Sequence, residues 1–244
     1  MKKSFLIIGI GLLYFTSFSQ GTRPAFGQAG DPQAQKAWEE LRRKVYSKKE
    51  ISVSNIKGSP FENDNFVPAV IVYEGKAEKE IFARFDAYND EVEFKQFENE
   101  NAEVYALHKS SKISCRFGAQ ELFYLPYKTD GGQSRIGYMY LQFKGNHYWF
   151  YARKKKIIME KKKAYNSLQR SFPARFSEVE EFFIGKPNET LRSVSLRKKK
   201  IIEALDEADH QKAKDFVKEQ KLNLKEPSQV IALLKYLDSY QDSP

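Results

Sequence analysis

The sequence predicts an α+β protein: mainly an antiparallel β-meander of about eight strands, closed as a barrel or folded as a sandwich, with a helical C-terminal extension. Three observations predict it. From Phe66 to about Lys162, apolar residues alternate with polar ones at period two, the signature of strands with distinct faces. The connections between these segments are short, whereas parallel strands need crossovers of a dozen or more residues. Beyond Lys163 the apolar spacing lengthens to the helical period, most clearly over His210–Gln220 and Ser228–Tyr240.

The elements follow in order. Met1 to Gln20 opens with Lys2-Lys3, continues as the apolar run Phe5 to Phe15 and ends in small residues, the order of a secretory signal peptide. The run falls short of the about 20 residues that a spanning helix needs. Ser17 and Ser19 suit a cut before Gln20, so the chain is expected to be exported, to the periplasm or the outer membrane, with no transmembrane span after cleavage. Gly21 to Gly30 is Gly/Pro-rich and reads as a tether. Asp31-Pro32 then starts a helix reaching about Tyr46, with Ala37, Leu41 and Val45 on one stripe.

Strands are expected at Val67–Tyr73, Glu80–Tyr88, Glu91–Phe97, Glu103–His108, Lys112–Phe117, Glu121–Tyr127, Arg135–Lys144 and His147–Glu160. Asn89-Asp90 and Gly145-Asn146 are residues that accept the left-handed backbone of tight hairpins. Ser177 to Gly185 reads as a short helical turn, and Thr190–Leu205 as a further helix. His210–Gln220 and Ser228–Tyr240 should pack as a helical hairpin, their link being short. The organisation is therefore residues 1–19 signal peptide, 20–57 linker and short helix, 58–163 antiparallel β domain and 164–244 basic helical extension.

The net charge of +9 is uneven. Basic and acidic residues balance between Gln20 and Phe150, and the excess lies after Tyr151 and in Lys2-Lys3. In an exported protein such charge points to an anionic lipid or glycan surface, or to an acidic envelope protein, rather than to nucleic acid. The contact candidates are Lys154, Lys155, Lys156, Lys161, Lys162 and Lys163. The ordinary reading of such runs is a solvated face, or lysines guarding a strand edge.

No catalytic constellation is visible, so a non-enzymatic role is expected, with no cofactor. His108, His147 and His210, with the lone Cys115, match no ligand spacing, and no metal is expected. Cys115 sits in a strand pattern, where a small buried side chain is the ordinary reading, and a single cysteine forms no internal disulfide. Ser195-Leu196-Arg197-Lys198 fits Ser-x-x-Lys only within a basic, solvated stretch. Clustered carboxylates such as Asp86, Asp90, Glu91 and Glu93 lack the cleft that a glycosidase requires.

The strongest binding candidate is aromatic. Tyr138 and Tyr140 share one face of their strand, and His147, Trp149 and Tyr151 share one face of the next. Such rings stack on sugars or line an apolar cavity, although core packing is their commoner use.

Gly58-Ser59-Pro60-Phe61, the stretch from Ile81 to Phe94, and Lys218-Glu219-Gln220-Lys221-Leu222-Asn223-Leu224 resemble an uncharacterised family of small exported proteins of Gram-negative bacteria. The resemblance implies an envelope location and carries no activity. The expected role is a binding or scaffold module of the cell envelope whose basic tail meets an anionic partner or surface. The alternatives are a β-barrel carrier of a small apolar or sugar ligand, and an unrecognised hydrolase.

Overall fold

The computed structural model describes residues 41–44, 56–75, 77–162, 171–187 and 189–241. The segments expected to form a signal peptide, a tether and most of a helix over Pro32–Tyr46, together with Lys163, lie outside them. Among the described residues, eleven strands form one sheet in the order β1-β5-β4-β3-β2-β6-β7-β11-β10-β9-β8, and β7 also pairs with β8. The α+β class therefore holds, and strands outweigh helices among the described residues.

The strands are β1 (Arg42–Lys44), β2 (Val67–Tyr73), β3 (Ala77–Asp86), β4 (Glu91–Lys95), β5 (Tyr105–Leu107), β6 (Ile113–Phe117), β7 (Gln120–Lys128), β8 (Ser134–Lys144), β9 (Trp149–Met159), β10 (Arg175–Gly185) and β11 (Leu191–Val194). Three helices follow the strands among the described residues, α1 (Lys198–Glu203), α2 (His210–Glu219) and α3 (Pro227–Gln241), with a 3₁₀ turn at Glu207–Asp209 before α2.

A simple meander does not describe the connections. β2 lies between β3 and β6, so the chain leaves for β4 and β5 before returning. β7 to β11 close on themselves as a five-stranded ring. The closing pair is parallel and brief, Leu191 against Tyr127 and Arg192 against Lys128. β10 and β11 lie in the stretch expected to be helical, and β1 in the stretch expected to belong to the first helix. β10 pairs along its whole length with β9, without a register shift, so the β unit runs well past residue 163.

Three cores result. The first gathers Ile71, Ala83, Phe85, Val92, Phe94 and Cys115 of the open sheet against Leu122, Tyr138 and Tyr140 of β7 and β8. The second fills the ring with Tyr127, Met139, Tyr151, Phe183 and Leu191. The third packs Tyr148, Phe150 and Ile184 against Ile201, Val217, Val230, Leu233, Leu234 and Leu237 of the helices. Both faces of β7 and β8 are thus covered, which accounts for their apolar residues at odd and even positions alike.

The helices are held by polar clasps as well as by apolar area. Asp238, in the last turn of α3, accepts N–H groups from Asn146 at 2.5 Å, His147 at 3.1 Å and Tyr148 at 3.2 Å. Gly145 makes room for it, since a Cβ there would stand 1.7 Å from the Asp238 Oδ2. The Tyr148 hydroxyl donates to Asp209 at 2.6 Å and accepts from the Asp206 N–H at 3.0 Å. Among the described residues, no helix is long and apolar enough to cross a membrane.

Candidate anion-binding site

The parallel closure of the ring places two cations side by side. Lys128 ends β7, Arg192 lies directly across the ladder on β11, and both are exposed. Like charges in register repel, by a few tenths to about 1 kcal/mol relative to neutral partners. Neither residue has an ion pair with an acidic side chain among the described residues.

This pair lines a recess of about 720 Å³, and a second recess of about 230 Å³ is bordered by its chain neighbours Tyr127, Thr129 and Ser193. Both border the Thr129–Asp130 start of the β7–β8 turn and Ser193 of β11. The turn is built locally. The Gln133 N–H donates to the Thr129 Oγ1 at 3.2 Å, and the Gly132 N–H to the Thr129 carbonyl at 2.8 Å. Gly132 takes φ 77, which a residue with a Cβ adopts only under strain. The smaller recess holds Arg135, Arg153 and Lys155 against Asp130 and Glu181, and the larger holds Lys128, Arg192 and Lys200 against Asp130 and Glu203. Cations therefore outnumber acids three to two in each.

Arg153 anchors the smaller recess. Its side chain is 14% exposed, and its terminal nitrogens reach Asp90 Oδ2 and Glu181 Oε2 only at 3.5 Å each. Its buried Nε meets no acceptor among the described residues, and its guanidinium lies 5.5 Å from the Tyr127 ring centre. Asp90 has φ 56, and its carboxylate accepts the Tyr138 N–H at 3.3 Å. Burial raises the Asp90 pKa above the ordinary carboxylate value, with Arg153 pulling it back. Gly137 permits this arrangement, because a Cβ there would sit 2.8 Å from Asp90 Oδ2 and 3.2 Å from Arg153 Nε.

The residues singled out from the sequence are distributed differently. Tyr138 and Tyr140 enter the first core, whereas Tyr151 and Trp149 face the ring interior. The cause is pairing: Tyr140 opposes Ala152 and Leu141 opposes Tyr151, and a bulge then sets Phe143 against Phe150. His147 sits on the turn clasped by Asp238, its Nδ1 3.8 Å from the carboxylate. The five residues therefore do not form one aromatic face.

The β9 lysines are paired rather than free. Lys154 donates to Glu62 at 2.5 Å, Lys155 to Glu181, and Lys156 to Glu178 at 3.0 Å. Glu62 also accepts from the Tyr140 hydroxyl at 2.5 Å, which ties residues near Phe61 onto β8 and β9. Lys161 and Lys162 are exposed. Cys115 is fully buried, and burial pushes its thiol pKa well up. Among the described residues, no group of three His, Cys, Asp or Glu side chains is gathered for a metal ion.

Lys128 and Arg192 escaped the sequence reading. No local signal marks them, because a parallel pairing between distant segments brings them together. Chemically, the recess can hold an oxyanion by charge and by the hydroxyls of Thr129 and Ser193. No family model matches the chain, and neither a curated protein nor a solved structure shows significant similarity to it.

Proposed function

We propose that this protein is an exported, non-enzymatic binding module of the cell envelope that engages an anionic partner through the basic end of its ring. The observation that carries this reading is the exposed Lys128–Arg192 pair across the closing ladder, which has no acidic partner among the described residues. A purely structural ladder gains nothing from two adjacent cations, whereas a bound anion turns their repulsion into attraction. The filled ring interior favours the rim over the lumen as the place for a ligand. The Met1–Gln20 segment supports export, as does the resemblance to exported envelope proteins.

The test is salt elution from immobilised heparin, used as a generic polyanion. The intact protein should be retained, and Lys128→Gln with Arg192→Gln should elute at clearly lower salt with a melting temperature unchanged or raised. Equal elution of the two proteins would remove the rim from consideration. Export is checked separately, by the mass of the native N-terminus in the envelope fraction; a chain still beginning at Met1 there contradicts signal cleavage.

A further inference from the structure

We infer that the outer end of the β9–β10 ribbon is a membrane-contact element that seats on an anionic lipid bilayer. The inference rests on the reading that this basic face of the molecule takes an anionic partner, and it names that partner.

The ribbon outruns the ring. β9 pairs with β8 only as far as Ala152, and β10 pairs with β11 only at Phe182 to Ile184. The β9–β10 ladder nevertheless continues to Met159 against Arg175. Because the register is unbroken, Arg153, Lys155, Ile157 and Met159 share one face with Glu181, Val179, Ser177 and Arg175. The opposite face is occupied: Phe176 meets the Tyr88 ring at 5.4 Å, and Lys154 reaches Glu62.

The first face is open at its outer end, where Ile157 is 42% exposed and Met159 46%; Phe172, beyond the ladder at the same end of the ribbon, is 49% exposed. They make up three of the five large apolar side chains recorded as exposed among the described residues. Phe172 is held there by reciprocal backbone bonds with Lys162, each 2.9 Å. Lys161, Lys162 and Arg175 are exposed at the same end, with Glu160 as the acidic neighbour. The inner end of this face is the Arg153–Lys155 side of the basic recess.

Apolar tips flanked by cations match the bilayer interface, where apolar groups enter the acyl boundary and Lys or Arg reach lipid phosphates. A soluble polyanion would give Met159 and Phe172 nothing to bury against. Edge protection would explain the lysines but not the apolar residues between them.

The test is co-sedimentation of the full chain with vesicles of phosphatidylcholine alone and with added phosphatidylglycerol. The chain should bind only the anionic vesicles. Ile157→Ser with Met159→Ser should weaken binding by about tenfold, ~1.4 kcal/mol, and Lys161→Gln with Lys162→Gln by a similar factor. Both pairs are exposed, so thermal unfolding should not move. A Met159→Trp reporter should shift to the blue and be quenched by brominated lipid. Binding to anionic vesicles that ignores the Ile157 and Met159 changes overturns the inference. Heparin retention without vesicle binding also overturns it and leaves the anion-binding reading standing. Failure on both supports removes both readings.

Discussion

Replacing Asp238 by Ala should loosen the helical layer from the sheet. Its carboxylate takes three N–H donors, each charge-assisted bond contributing about 1.5–3 kcal/mol. Asn146 is exposed, so water replaces its lost bond; His147 is half-buried and Tyr148 buried, so theirs are lost more fully. Two bonds at the lower end of that range give about 3 kcal/mol. Removing a negative charge near the C-terminus of α3 returns about 0.3–1 kcal/mol through the helix dipole. The net loss is about 2–3 kcal/mol, or a melting temperature lower by ~5–10 °C for a chain of this size. Gly145→Ala should reproduce much of it by expelling the carboxylate, since the added Cβ would lie 1.7 Å from Oδ2. In the Asp238→Ala background, the same Gly145 change should cost little, giving a coupling above about 1 kcal/mol in a urea-melt cycle. An Asp238→Ala protein within about 0.5 kcal/mol of the parent, or strictly additive effects, would refute the clasp.

Lys128→Gln alone should leave stability unchanged or raise it by about 0.2–1 kcal/mol, as repulsion across the ladder is relieved; a clear loss in urea melts would mean that Lys128 has an unrecognised structural partner. Burial raises the pKa values of Cys115, Tyr138, Tyr140 and Tyr148, and pushes Tyr151 up to about 12. These groups keep their protons in the folded chain while the unfolded chain loses them, so stability should fall as pH rises above about 9–10. Urea melts at mildly and strongly alkaline pH check this, and equal or greater stability at the higher pH would contradict it. The Cys115 thiol should resist an aromatic disulfide reagent in the native state and react fully in urea; rapid native reaction would mean that the first core opens readily.

Local periodicity made much of the sheet legible. β2 falls where alternation places it, and β8, β9, α2 and α3 come within a few residues of their expected bounds. β10 was hidden by its own spacing: Phe176, Val179 and Phe182-Phe183 recur as a helix stripe would. What makes it a strand is long-range complementarity, Glu178 and Glu181 facing Lys156 and Lys155. The basic run on β9 and the acidic run on β10 are one feature, which a reading of either alone cannot see. β11 is too short to show a period, and the bulge between Leu141 and Phe143 reverses which aromatic residues share a face. The candidate site was the least legible part, because Lys128 and Arg192 meet only through the ring closure.

That closure also dictates when the protein can finish folding. The interior around Tyr127, Met139 and Tyr151 cannot be sealed until Leu191 arrives from far along the chain. Until then, an incompletely folded chain carries an unpaired edge at the Tyr127–Lys128 end of β7 and an uncovered aromatic pocket. Such late, non-local pairing slows folding and lengthens the interval in which chains associate wrongly. Deleting β11 should therefore leave a species that depends on a holding chaperone, while strengthening the Leu191–Tyr127 contact should speed refolding overall.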